Sequence, residues 1–109
     1  MSLSFTSIED QIGPAVYILG SHDARTEQKL MNLANEVDKR TQQKVQIVYL
    51  DPRRGDGLKV KEFYAVRNLP CVMIIMDDDT VPYKWTHAIP KAEEITYALS
   101  QIGGYMRRS

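Results

Sequence analysis

Apolar positions along this chain come in two kinds of run, short unbroken stretches and stretches spaced by three and four residues. Ala15 to Leu19, Val45 to Leu50 and Cys71 to Met76 are five- or six-residue runs, the length of buried strands and too short for helices. Between the first two, Leu30, Leu33, Ala34 and Val37 recur at helical spacing among Glu, Gln, Lys and Asn, which predicts an amphipathic helix from Ala24 to Arg40. Gly20 to Asp23 turns the chain into it. Helical spacing returns from Leu58 to Tyr64, after a loop with Pro52, Gly55 and Gly57. Beyond the turn at Asp77 to Thr80, Val81, Tyr83, Trp85 and His87 alternate with Pro82, Lys84 and Thr86, a strand that Pro82 assigns to a sheet edge. Pro90, the stripe of Ile95, Ala98, Leu99 and Ile102, and the stop signal Gly103-Gly104 define a last helix. Before the first strand, Ser7 and Asp10, with Ile8 and Ile12, cap a short helical turn that Gly13-Pro14 ends.

The pattern therefore alternates strand and helix without a repeat or linker, and predicts one α/β domain over residues 1–109. Strands joined by helices are expected to run parallel with right-handed crossovers, and the last two strands, joined by a tight turn, antiparallel. With 43% hydrophobic residues the chain has the material for a core, and its 14 basic and 14 acidic side chains cancel. That balance gives no electrostatic reason to expect nucleic acid or an anionic membrane as a partner. Asp77, Asp78 and Asp79 read as a solvated turn. One cysteine excludes an intrachain disulfide and a four-cysteine zinc site, and no run of eighteen apolar residues suggests a membrane span. A cytoplasmic location is the expectation. Met1-Ser2-Leu3 lacks the regions of a signal peptide and is compatible with an appended start that replaces a trimmed export or anchor segment.

The segment VRNLPCVMIIM, residues 66–76, puts a proline directly ahead of the most apolar run and the only cysteine directly after it. Proline donates no hydrogen bond and tolerates a cis peptide, so it belongs at a strand's first residue or in a bend. Together with Tyr64, the Val66-Arg67-Asn68-Leu69-Pro70 run ahead of an apolar strand, followed by a second strand and a capped helix, resembles the thioredoxin family. The resemblance spans about Ala15 to Ile102. It implies a three-layer sandwich, a central mixed sheet flanked by helices, with Pro70 as the cis-proline before the penultimate strand. It also implies a groove beside that proline which holds an extended peptide through backbone contacts.

The family's redox chemistry needs a Cys-X-X-Cys at the start of the helix that follows the first long strand, where the helix N-terminus lowers the first thiol's pKa. Here the segment reads GSHDARTEQ and contains no thiol to attack or to resolve a disulfide. Ser21 to Ala24 or Asp23 to Thr26 occupies the motif's place. Ser and Ala are also the usual replacements in disabled thiol enzymes, so a natural loss and a deliberate one look alike. His22 beside Asp23, with Ser21 or Thr26, suggests a base and nucleophile, but Ser, Thr and Asp at a helix start ordinarily cap free N–H groups. An anion held there with Arg25 rests on the same groups. Cys71, heading an apolar strand, reads as a small buried hydrophobe. His87, a lone histidine, supports no metal or catalytic assignment.

Three functional readings follow, in order. The first is a redox-inactive module that binds a protein or extended peptide in the groove of Ser21, His22, Asp23, Ala24, Leu69, Pro70, Cys71, His87 and Ala88, with no cofactor and no metal. Ala88 stands where the family usually has glycine, which implies a shallower groove. The second is a thiol activity through Cys71, by a mixed disulfide with glutathione or a partner. The third is an interaction through another face, the Pro82 edge or the helix near Arg53 and Arg54. In an insulin-reduction assay with a dithiol donor the chain is expected to give no turnover above the uncatalysed rate, and turnover comparable with a thioredoxin would overturn the redox-inactive reading.

Overall fold

The computed structural model describes residues 14–21, 23–86 and 88–102. The capped turn expected at Ser7 to Gly13, both histidines and the Gly103-Gly104 stop lie outside them. Seven elements follow in order: β1 (Ala15–Leu19), α1 (Ala24–Arg40), β2 (Gln46–Leu50), α2 (Gly55–Phe63), β3 (Cys71–Ile75), β4 (Tyr83–Trp85) and α3 (Ala92–Ile102). The four strands form one mixed sheet in the order β2-β1-β3-β4. β1 and β2 run parallel, from Ala15 against Gln46 to Leu19 against Leu50. β3 is antiparallel to both its neighbours, β1 and β4.

Strand alternation sends the side chains of β1 and β3 into two separate cores. Val16, Ile18, Val72 and Ile74 meet Leu30, Leu33 and Val37 of α1 and Ile95, Ala98 and Leu99 of α3 on one face. On the other face Tyr17, Leu19, Cys71, Met73 and Ile75 meet Val60 of α2 and Val66. The result is three layers, helix pair, sheet and single helix, as expected of a thioredoxin-like sandwich. The unbroken apolar run at Cys71 is therefore a strand with a core on each side, which is why it lacks polar alternation.

One expectation fails. β3 does not run parallel to β2, although a helix joins them, because α2 does not close a crossover. At its end Ala65 adopts φ 53°, and its N–H and that of Val66 donate to the carbonyls of Glu62 and Lys61. These are the two bonds of a Schellman motif, which turns the chain out of the helix axis. The chain then reaches Cys71 opposite Leu19, at the end of the sheet where β1 and β2 finish, and must enter β3 in reverse. α1 closes with the same motif through Gln42, φ 57°, and Gln43, φ 61°, which bond Lys39 and Asp38. No glycine marked either stop.

β2, β3 and the end of α2 each shorten by one residue, and two further boundaries move more. α2 begins at Gly55, three residues before the expected Leu58, because Gly57 lies against the Asp51 backbone carbonyl and lets the helix start tight against the β2 exit. The last strand shortens to Tyr83–Trp85, with Val81, Pro82 and Thr86 outside it, and it lies at an edge of the sheet. The Tyr83 and Trp85 rings stack at 6.0 Å against the two-helix core.

These features predict opposite effects for two small substitutions. A Cβ at Gly57 would collide with the Asp51 carbonyl, so Gly57→Ala is expected to destabilise by about 2 kcal/mol. Ala65→Gly relieves a left-handed alanine and is expected to stabilise by about 0.5 kcal/mol, after the added chain entropy of glycine is set against the relief. Denaturant titration of both variants checks the signs.

Candidate functional site

Leu19, Cys71 and Trp85 end or begin three adjacent strands on the same side of the sheet. Leu19 pairs with Cys71, and Val72, one residue further on, pairs with Trp85. Antiparallel pairing of β3 with both neighbours thus delivers three connections to one place: Gly20-Ser21 leaving β1, Leu69-Pro70 entering β3, and Thr86 leading on to Ala88 after β4. The Leu69–Pro70 peptide is cis. Of the residues named from the sequence, Ser21 and Pro70 are half-buried and Asp23, Ala24, Leu69 and Ala88 are exposed, while Cys71 is fully buried beneath them. His22 and His87 lie outside the described residues.

The turn that enters α1 is held from inside. The Asp23 carboxylate accepts from the Thr26 N–H at 2.9 Å and from its hydroxyl at 2.7 Å, the capping expected of Asp at a helix start. Those bonds to Thr26 hold the Asp23 pKa below its ordinary value. Glu27 then reaches back: its Oε2 accepts the Ser21 N–H at 2.7 Å and its Oε1 accepts the Tyr49 hydroxyl at 2.6 Å. Gly20 donates its N–H to the Leu50 carbonyl and packs so closely on the Glu27 carboxylate that a Cβ there has no room. Burial, then the Glu27 bond, raises the Tyr49 pKa, so the phenol remains a donor.

Sequence reasoning missed Glu27 and Tyr49 because the pair joins residues far apart in the chain, and periodicity carries no signal for such a contact. A helix N-terminus furnished with two carboxylates has neither the nucleophile nor the positive field that thiol chemistry requires. The anion site considered with Arg25 meets the same objection, since the Thr26 and Ser21 N–H groups already have acceptors.

Leu69 presents a different surface. It is 38% exposed, and among the described residues neither of its backbone polar groups has a hydrogen-bond partner. A backbone group left free at a strand entrance suits pairing with another extended chain. Cys71, next but one, faces the α2 core with no exposure, and burial pushes its thiol up to about 11, against a smaller opposing effect of Lys84. Among the described residues no group of three or more His, Cys, Asp or Glu side chains is placed to hold a metal ion, and no helix is long and apolar enough to cross a membrane.

The order β2-β1-β3-β4 with helices on both faces is the thioredoxin-like fold. A thioredoxin-like protein from Clostridium perfringens superposes with a TM-score of 0.72 at 14% identity, over 87% of this chain and 74% of that one. Thioredoxin O2 from Arabidopsis thaliana in its oxidised state gives 0.65 at 9% identity, over 87% and 82%. Thioredoxin-2, a component of the malaria parasite protein secretion machinery, gives 0.67 at 10%, over 81% and 82%. No protein-family profile and no curated sequence matches the chain. The likeness lies in the fold, and with a single cysteine the chain holds no Cys-X-X-Cys pair.

Burial of Cys71 predicts slow reaction with a thiol probe in the native protein and fast reaction after unfolding. The native thiol keeps its proton to about pH 11, whereas an unfolded thiol loses it from about 8.5. Between those values the unfolded state binds fewer protons, so this group's contribution to stability falls as pH rises. The stability difference between wild type and Cys71→Ala is expected to narrow across that window, and a constant difference would show that the thiol is not held neutral.

Proposed function

We propose that the protein is a redox-inactive thioredoxin-like module that binds an extended segment of a partner protein beside Pro70. Leu69 carries this reading: the residue is exposed, and among the described residues its backbone groups have no hydrogen-bond partner. A partner strand laid along residues 68–70 pairs with it as a strand adds to a sheet edge, which needs shape and free amide groups but no thiol. The capped turn, with Ser21, Asp23 and Ala24, forms one bank of the groove and Ala88 the other. The Glu27 tie supports the reading because it fixes the bank without help from a ligand, and a preformed surface loses less conformational freedom on binding.

A thiol activity through Cys71 finds no support in a side chain that is sealed in the core and whose thiol burial keeps neutral. Partner selection is then a matter of backbone pairing plus the side chains that flank it. Leu69 offers apolar contact, and Arg67 and Asn68, both exposed, offer polar contact.

The test is to recover a partner by affinity capture, reduce it to its binding segment and follow backbone amide shifts on titration. Shifts centred on residues 20–26, 68–71 and 86–89 are expected, and Leu69→Pro, which removes the free N–H, is expected to weaken binding at least tenfold. Shifts confined to Val81–Trp85 or to Pro52–Gly57 would assign the function to another face.

A further inference from the structure

At the opposite end of β3 from Pro70, the end of α2 and the β3–β4 turn enclose a pocket lined by Lys59, Val60, Phe63, Tyr64 and Asp79. Three of its features are unusual together. Phe63 is 68% exposed, although it sits on the helix that covers the sheet, and its ring meets Tyr64 edge-to-face at 4.7 Å. Tyr64 donates its hydroxyl to Asp79 Oδ1 at 3.2 Å, which leaves Oδ2 without a partner among the described residues. Tyr17, which does not line the pocket but packs in the same core as Val60 and Tyr64, is only 9% exposed, yet its hydroxyl has no hydrogen-bond partner among the described residues. A buried phenol ordinarily finds one.

We propose that this corner binds the guanidinium of an arginine side chain from a partner protein. A planar guanidinium offers several N–H donors at fixed angles, enough to reach Asp79 Oδ2 and the Tyr17 oxygen while its face lies on the open Phe63 ring. Asp79 Oδ2, the Tyr17 oxygen and the open Phe63 face all suit a cation that donates, and Lys59 is the one lining group that does not. Burial, then the charges of Asp79 and Asp56, raise the Tyr17 pKa, so both carboxylates act on this phenol. Burial, then Asp79, raises that of Tyr64 in the same way. Lys84 donates to the Tyr64 carbonyl at 3.4 Å, so a second cation beside Lys59 stands near the site and weakens its pull on the ligand. Lys59 stands on the exposed rim and opposes the ligand, so it limits affinity.

The test uses N-acetyl-arginine amide and its neutral isostere N-acetyl-citrulline amide as probes of the whole chain, followed by amide shifts. Saturable shifts at residues 60–64 and 78–80 are expected with arginine and not with citrulline. Asp79→Asn is expected to abolish them, and because asparagine accepts the left-handed backbone of position 79, φ 70°, the variant keeps its fold. Tyr17→Phe is expected to weaken binding several-fold and Lys59→Ala to tighten it. Equal response to citrulline, an unaffected Asp79→Asn, or no saturable shift at the probe's solubility limit would overturn the proposal. Shifts around residues 20–26 and 68–71 instead would place arginine in the other groove, which also refutes this site while leaving that one standing.

Discussion

Pairing of β1 with β3 sets nearly everything else in the molecule. Both strands lie inside the sheet, and almost every side chain on them is buried, with one set facing α1 and α3 and the other facing α2. A one-residue slip in that register would exchange the two sets and ruin both cores at once. The same register brings Leu19 opposite Cys71, so the chain's two most interesting connections leave and enter the sheet side by side. Position of the candidate groove is thus a by-product of core packing. No bond between the two connections is needed to hold it.

Much of this was legible in the order of residues. β1 and α1 have the limits that hydrophobic spacing suggests, and Asp23 caps where a helix start calls for a cap. The unbroken run from Cys71 announced a strand buried on both faces. Directions were harder. Parallel β2 and β3 would have required the chain to return to the start of the sheet after α2, whereas it stops at a left-handed Ala65 and enters β3 beside the end of β1, and alanine's side chain gives no notice of that backbone. Gln42 and Gln43 likewise give no sign of their left-handed backbone, although spacing alone marks the end of α1 at Arg40. Where glycine is absent from a Schellman position, composition cannot mark the stop.

The groove and the second pocket differ in how far they could be foreseen. Leu69, Pro70 and Ser21 were assigned through a family resemblance carried by one short motif, and the fold places them at adjoining strand ends. Glu27, Tyr49 and Asp79 were not, since each matters through a partner distant in sequence, and Tyr17 was not, since it matters through the lack of one. Long-range pairs of this kind appear only once the sheet order is known. A buried phenol without a partner, in particular, cannot be recognised before its surroundings are.

The Glu27 tie between Ser21 and Tyr49 also bears on how readily this scaffold could host a disulfide chemistry. Grafting two cysteines into the turn would set a thiolate beside a fixed carboxylate and over a helix end whose N–H groups are already engaged. Like charges at that distance raise the thiol's pKa, so the graft would create a sluggish nucleophile. Redox function there therefore requires replacing Glu27 along with the two thiol positions. With only those two positions changed, the Glu27 carboxylate still opposes the thiolate.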